Sequence, residues 1–373
     1  MRRLHRGQRG PADGALIEID IEPRSARFER VPLRRGRGML RALPQKDPAV
    51  GEQRITRSAG QHEGGRVKAS SSRVGWKGCG TALITPFDEK GRIDFGALER
   101  LVDWQIERGI DFLVPCGTTG ESATLSGDER KAVTAAVVRV SNGRVPVIAG
   151  AGGNHTAKAV FWARDAAAAR ADGILSVSPM DNRPSPEGLV RHFSAIAEAV
   201  DLPILIYNVP RRTGSDLDAE TILRLCEIPR VAGLKEASSD FPRIARLMTR
   251  LPEDFAVFSG DDTTALALLA LGARGAISVV SNEIPREMSA LVHAALDGDW
   301  EEARRLQRKY LALMEMNFWE SSPGPVKCAL ALMKKCGETL RLPLAPVRED
   351  TRRRIESLLS GFKILPRKAA TRH

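Results

Sequence analysis

Eight short apolar segments follow one another from Gly78 onward, and this succession restricts the possible fold more than any other feature of the sequence. Neighbouring segments begin 20 to 34 residues apart, which leaves room for one helix in each interval. The segments begin near Thr81, Asp111, Val145, Gly173, Pro203, Val231, Phe255 and Gly275. Nearly continuous apolar runs of this length are typical of parallel strands that are buried on both faces.

Helical patterns fill the intervals, for example over Ser126–Val140, Thr156–Ala171 and Ser185–Val200. Eight β/α units predict a (β/α)8 TIM barrel of the α/β class over residues 75–298. An open doubly wound sheet is the alternative. Such sheets usually carry a glycine-rich dinucleotide turn, and GxGxxG is absent after the first predicted strand.

Three further helical segments follow the eighth unit. They cover Trp300–Trp319, Pro325–Lys335 and Arg348–Phe362. They predict a C-terminal three-helix subdomain over residues 299–363, followed by a basic tail over residues 364–373.

The net charge of +11 is concentrated near the N-terminus. Residues 1–74 contain 17 Lys and Arg residues against 8 Asp and Glu residues, a net charge of +9, which leaves +2 for the other 299 residues. The segment is rich in Arg, Gly and Pro and has little apolar periodicity, so we expect a disordered basic extension. Its arginines could attract nucleic acid, but no aromatic residues are interleaved with them to support such binding.

Composition also indicates whether the chain spans a membrane, in which compartment it lies and whether it binds a metal. The longest apolar run, Ala265–Leu271, is far shorter than the roughly 18 residues of a membrane span, so we expect a soluble protein. The five cysteines are scattered and lack CxxC spacing, which indicates reduced thiols in the cytoplasm. The six histidines have no metal-ligand spacing, so no metal is predicted.

Lys235 is the candidate nucleophile. It is the first charged residue in the run Val231-Ala-Gly-Leu-Lys-Glu-Ala-Ser238, which otherwise predicts a buried strand. Burial disfavours the ammonium form, and the neutral amine attacks carbonyl groups to form a Schiff base. The alternative is a lysine at a strand end whose stem packs while its charged group reaches water.

Polar residues collect after two other predicted strands. Gly117-Thr-Thr-Gly-Glu-Ser122 follows the second strand, and its hydroxyl and backbone N–H groups could hold a carboxylate. Tyr207 ends the fifth strand, where a buried phenol can transfer protons. Ordinary turn residues and a core tyrosine are the alternative interpretations of these two motifs.

Taken together, these motifs resemble the dihydrodipicolinate synthase family of pyruvate-dependent class I aldolases and lyases. The motifs are GTTGES, YNVP followed by RRTG, GLKEAS, FSGDD and GAISV, in this order, and the similarity covers roughly Gly78 to Leu359. The resemblance implies a homotetrameric barrel enzyme of the diaminopimelate route to lysine. It would condense pyruvate with L-aspartate 4-semialdehyde to give 4-hydroxy-tetrahydrodipicolinate, without a cofactor.

The resemblance also assigns roles to individual residues. Lys235 matches the Schiff-base lysine, Tyr207 the tyrosine that donates and accepts protons, and Thr118 a threonine of the proton relay. The expected substrate-binding residues are Thr119 and Ile277 for pyruvate, Arg212 for the carboxylate of the semialdehyde, and Gly260 in the FSGDD motif.

One position departs from the family pattern. Met180-Asp181 stands where family members usually carry two tyrosines, and Asp181 occupies the position of the tyrosine that reaches a neighbouring subunit's relay. Two other functions therefore stay open. One is a related pyruvate-dependent aldolase, such as an N-acetylneuraminate or keto-deoxy-sugar acid lyase. The other is a catalytically weak relative with a binding or assembly role.

Overall fold

A sheet of eight strands forms the centre of the computed structural model, which describes residues 74–366. The strands are β1 (Gly78–Ala82), β2 (Phe112–Val114), β3 (Ile148–Gly150), β4 (Gly173–Val177), β5 (Ile204–Asn208), β6 (Val231–Glu236), β7 (Ala256–Ser259) and β8 (Gly275–Ser278). All ladders are parallel, in the order β2-β1-β8-β7-β6-β5-β4-β3.

The two ends of this sheet meet and close it into a barrel. Leu113 of β2 forms a parallel bridge with Val147, just before β3. The N–H of Leu113 donates to the Pro146 carbonyl at 2.9 Å, and the N–H of Gly150 donates to the Pro115 carbonyl at 2.9 Å. The predicted (β/α)8 barrel is confirmed.

Helices follow each strand and continue beyond the eighth. They are α1 (Phe95–Glu107), α2 (Gly127–Ser141), α3 (Thr156–Ala168), α4 (Pro186–Ala199), α5 (Pro210–Thr213), α6 (Ala219–Cys226), α7 (Phe241–Met248), α8 (Ala265–Ala270), α9 (Pro285–Leu296), α10 (Trp300–Met316), α11 (Gly324–Leu332) and α12 (Glu349–Gly361). Short 3-10 turns lie at Ser122–Thr124, Asp262–Thr264 and Val280–Asn282.

Local sequence explains where several helices begin. Ser126 caps α2 reciprocally with Glu129: the Ser126 hydroxyl accepts the Glu129 N–H at 3.2 Å, and the Glu129 carboxylate accepts the Ser126 N–H at 2.9 Å. Ser185 caps α4, with Pro186 at the first helical position. These signals place the starts of α2 and α4 one residue after the predicted ones.

The first strand begins three residues earlier than the sequence pattern predicts. An added Cβ at Gly275 of β8 would lie 1.9 Å from the Gly78 carbonyl oxygen, so β1 and β8 approach each other too closely for a side chain there. The segment Gly78-Cys-Gly80 pairs with β8 for this reason, although its small residues do not form an apolar run.

The helix predicted over Trp300–Trp319 ends at Met316. Asn317 follows it, and its buried side-chain amide donates to Glu283 Oε2 at 3.1 Å. The same amide donates to the Leu313 carbonyl at 3.4 Å. Local side-chain bonds of this kind to the backbone compete with continuation of a helix. The chain after Asn317 turns toward the barrel mouth instead.

The buried apolar side chains of the described residues form one cluster inside the barrel and two clusters between the strands and the helices. The barrel interior includes Phe112 and Phe258, whose rings meet edge to face with their centroids 5.4 Å apart. One outer cluster lies under α3 to α8. The other joins α1, α2 and α9 to α10–α12, so the C-terminal helices share a core with the barrel.

The division at residues 298 and 299 stays a prediction. The extension predicted over residues 1–74 lies outside the described residues except for Val74, and the basic tail lies outside them except for residues 364–366.

Candidate active site

A cavity of about 420 Å³ opens at the carboxyl ends of the strands. The predicted site residues that line it are Thr118, Thr119, Tyr207, Arg212, Lys235 and Gly260. Active sites of (β/α)8 barrels lie at this end, because the loops that follow the strands meet there. The fold therefore brings these six residues, which are up to 142 positions apart in the sequence, to one cavity.

Lys235 projects from β6 into the cavity and is only 5% exposed. Burial lowers the pKa of its ammonium group from 10.5 to about 8, while the nearby carboxylate of Asp262 opposes this shift. A pKa of about 8 leaves roughly a tenth of the amine neutral at pH 7. The alternative of a lysine with a solvated charged group does not agree with this burial.

Tyr207 is the register partner of Lys235 across the β5–β6 ladder. The Lys235 Nζ atom lies 4.4 Å from the centre of the Tyr207 ring. Burial raises the pKa of the Tyr207 phenol to about 12, against the field of Arg212, which lowers it. The phenol is therefore protonated at neutral pH and can donate a proton.

Glu236, the residue after Lys235, faces the outside of the barrel wall and was missed by sequence reasoning. Its side chain is fully buried and pairs with Arg243 at 2.9 Å. It also accepts the Ser238 N–H at 2.7 Å and the Asn208 side-chain amide at 3.2 Å. These bonds fix the ends of β5 and β6, and thereby the two strands that carry Tyr207 and Lys235.

The absence of a side chain at Gly260 leaves space for the Lys235 side chain. An added Cβ at this position would lie 2.9 Å from Lys235 Cε and 2.9 Å from the Ala237 methyl group. Two residues later, Asp262 is buried and accepts the backbone N–H groups of Val279 and Val280 at 3.0 and 2.8 Å. Burial raises the pKa of Asp262.

Thr118 and Thr119 lie in a tight turn after β2. The Gly120 N–H donates to the Gly117 carbonyl and the Glu121 N–H to the Thr118 carbonyl, both at 3.1 Å. Thr119 is 7% exposed, whereas Thr118 is exposed at the cavity mouth. This arrangement suits the predicted roles of a carboxylate ligand and a relay hydroxyl.

Two consecutive arginines on α5 differ in their partners. Arg211 pairs with Asp261 at 3.1 Å. Arg212 also lines the cavity, and within residues 74–366 it forms no ion pair. Its charge is thus available to an anionic substrate.

Two predicted site residues do not line the cavity. Ile277 is fully buried in the barrel interior on β8, within the same cluster as Tyr207. Asp181 is exposed in the loop after β4, has a left-handed φ of 68°, and accepts the Asn154 side-chain amide at 3.1 Å. Its predicted role concerns a neighbouring subunit.

The C-terminal segments also contribute to the cavity, which the sequence did not indicate. The contributing residues are Phe318, Glu320, Ser321, Ser322 and Leu344. Phe318, Glu320, Ser321 and Ser322 follow the end of α10 at Met316, which comes three residues before the end predicted from the apolar pattern. Leu344 lies in the segment after α11.

The described residues contain neither a metal-binding cluster nor a helix that could span a membrane. No group of three or more His, Cys, Asp or Glu side chains in residues 74–366 could hold a metal ion. No helix in this part of the chain is both long and apolar enough to cross a membrane.

Comparison with known proteins identifies the family. The sequence model of the dihydrodipicolinate synthetase family matches residues 76–361. The 4-hydroxy-tetrahydrodipicolinate synthases of Koribacter versatilis and Acidobacterium capsulatum are both 51% identical over 290 residues; these alignments cover 78% and 77% of this chain and 97% and 96% of the relatives.

Solved structures agree with the sequence comparison. Dihydrodipicolinate synthase from Aquifex aeolicus superimposes with a TM-score of 0.77 at 39% identity, covering 79% of this chain and 100% of that chain. The chloride-inhibited enzyme from Acinetobacter baumannii, solved with pyruvate, gives a TM-score of 0.76 at 43% identity over 78% and 99%. The chain belongs to the dihydrodipicolinate synthetase family.

Proposed function

We propose that this chain condenses pyruvate with L-aspartate 4-semialdehyde to give 4-hydroxy-tetrahydrodipicolinate, as the names of its relatives indicate. The observation that carries the proposal is Lys235, a buried amine with a pKa of about 8 beside the Tyr207 phenol in the cavity. The activity is that of a lyase of the class I aldolase type.

The neutral amine of Lys235 attacks the keto carbon of pyruvate, a C–N bond forms, and water leaves as the imine is produced. The protonated imine then withdraws electrons, so that the pyruvate methyl group loses a proton and the resulting carbon nucleophile attacks the aldehyde. The aldehyde oxygen takes up a proton and becomes the 4-hydroxyl group. The amino group of the second substrate then adds to the imine carbon and displaces the Lys235 amine, which closes the ring and frees the enzyme. Tyr207 and Thr118 move the protons in these steps. The protonated imine is the electron sink, and the reaction needs no cofactor.

Different residues of the cavity receive the two substrates. Thr119 binds the pyruvate carboxylate, and Ile277 contributes to the pyruvate site from the barrel interior. Gly260 borders the same space. Arg212 receives the carboxylate of the semialdehyde, since it carries a charge without an ion-pair partner among the described residues.

A coupled assay with pyruvate and a panel of aldehydes tests the substrate. We expect aspartate semialdehyde to give the highest kcat/KM, and Arg212→Ala to raise its KM by roughly tenfold or more with pyruvate KM little changed. Arg211→Ala is the matched variant, and we expect a smaller effect because Arg211 already pairs with Asp261. Preference for a sugar aldehyde, or equal effects of the two arginines, would favour the related aldolase.

The assembly we propose is a homotetramer in the cytoplasm. In this assembly Asp181 of one subunit faces the proton relay, Tyr207 and Thr118, of the neighbouring subunit. Sedimentation of the full chain would test it: a monomer at micromolar concentration contradicts the proposal. If no aldehyde is turned over, the chain is instead a catalytically weak relative with a binding or assembly role.

A further inference from the structure

A fully buried ion pair joins the active-site turn to the C-terminal helices. The Lys327 ammonium on α11 contacts Glu121 Oε1, and neither side chain is exposed to solvent. Lys327 also donates to the Thr339 carbonyl at 2.8 Å, and the Arg341 N–H donates to Glu121 Oε2 at 3.2 Å. Removing either charge would leave the other buried and uncompensated.

Glu121 forms the corner of the turn Gly117–Ser122. Its φ of 53° lies in the left-handed region, which is uncommon for a residue with a Cβ. Its N–H donates to the Thr118 carbonyl at 3.1 Å, and its carbonyl accepts the Thr124 N–H at 3.0 Å. The side chain therefore holds the same backbone unit that bonds directly to Thr118.

Glu121 does not itself line the cavity, whereas Thr118 and Thr119 do. The ion pair thus acts on the site only through the position of the turn. A displacement of about 1 Å in a group that positions substrate can lower a rate by about 10².

We propose that Lys327 is a positioning residue: its ion pair with Glu121 holds Thr118 and Thr119 in the geometry that binds pyruvate. The inference rests on the proposed function, because it concerns the residues that are proposed to bind pyruvate. Through this contact, which lies outside the cavity lining, helix α11 would position residues of the active site.

A role limited to stability is the competing explanation, and a double variant separates the two. Lys327→Met and Glu121→Gln each leave one buried group without its partner, so each should lower the melting temperature. The double variant contains no unpaired buried charge and should recover most of that loss. If the pair positions the turn, the double variant nevertheless keeps a defective pyruvate site.

The experiment measures the melting temperature, kcat and both KM values for the full-length chain and these three variants. We expect pyruvate KM to rise about tenfold and kcat to fall, with semialdehyde KM changed by less than about twofold, in the double variant as in the singles. Leu330→Ala is the control: it removes a fully buried side chain from the same helix, and we expect a lower melting temperature with unchanged KM values.

A stable double variant with the original pyruvate KM overturns the inference. A Leu330→Ala variant that raises pyruvate KM equally also overturns it. The double variant decides the question even if a single variant does not fold. Borohydride reduction with pyruvate is measured in parallel: failure to label the unmodified chain contradicts the proposed function, whereas normal labelling with an unchanged KM contradicts only the role of Lys327.

Discussion

The Lys235 ammonium lies 4.4 Å from the centre of the Tyr207 ring, opposite it in the β5–β6 ladder. Two effects act on the lysine. The aromatic face attracts the cationic form, while burial lowers the pKa of the amine to about 8 and favours the neutral form. The parallel register thus places the proposed imine-forming amine beside the phenol that is proposed to move its protons.

Replacing Tyr207 by Phe separates these two contributions. The ring face stays, so imine formation with pyruvate should persist, but the proton donor is lost. We expect kcat to fall by roughly 10² to 10⁴. Steady-state kinetics together with borohydride trapping checks this. Unchanged kcat, or trapping lost along with kcat, would show that Tyr207 has a different role.

Gly260→Ala tests the space around the nucleophile. Its Cβ would lie 2.9 Å from Lys235 Cε and from the Ala237 methyl group, so the lysine must move. We expect kcat/KM for pyruvate to drop by about tenfold or more. Gly361→Ala is the control, because a Cβ at that position in α12 meets no atom within 4 Å. Equal behaviour of the two variants would contradict this account of Gly260.

The rate of imine formation should follow the titration of Lys235. Its pKa is lowered from 10.5 to about 8, and only the neutral amine reacts. The rate should therefore rise about tenfold per pH unit below pH 8 and level off above it. Tyr207, with a pKa of about 12, does not titrate in this range. Single-turnover trapping from pH 6 to 10 measures the profile. A rise that continues to pH 10 would place the lysine in a solvated environment.

Asp181 provides a test of the relay across the subunit interface. A carboxylate accepts hydrogen bonds but donates none, whereas a tyrosine can do both. We expect Asp181→Tyr to raise kcat with little change in pyruvate KM. Asp181→Phe adds the ring without the hydroxyl and should not raise kcat. A slower Asp181→Tyr enzyme, or equal gains in both variants, would mean that this position takes no part in proton transfer.

The barrel and most of the site could be predicted because their signals are local. Apolar runs with regular spacing indicate buried parallel strands, and strand ends of such a barrel meet at one rim. Lys235, Tyr207 and Thr119 each lie at such an end. The motif resemblance then assigned their roles.

Other features depend on contacts between distant segments, which sequence periodicity does not reveal. The start of β1 follows from the close approach of Gly78 and Gly275. The early end of α10 accompanies the bond between Asn317 and Glu283, and it brings Phe318 and Ser322 to the cavity. The buried partner of Glu121 lies 206 residues away, so nothing near GTTGES indicates it.

The most direct test is borohydride reduction of the full-length chain with pyruvate, followed by mass spectrometry of the peptide that contains Lys235. We predict one reduced pyruvyl adduct per chain, located on Lys235, and none in Lys235→Ala. Adduct that persists in Lys235→Ala, or an unlabelled original chain, would contradict the assignment of Lys235 as the Schiff-base nucleophile.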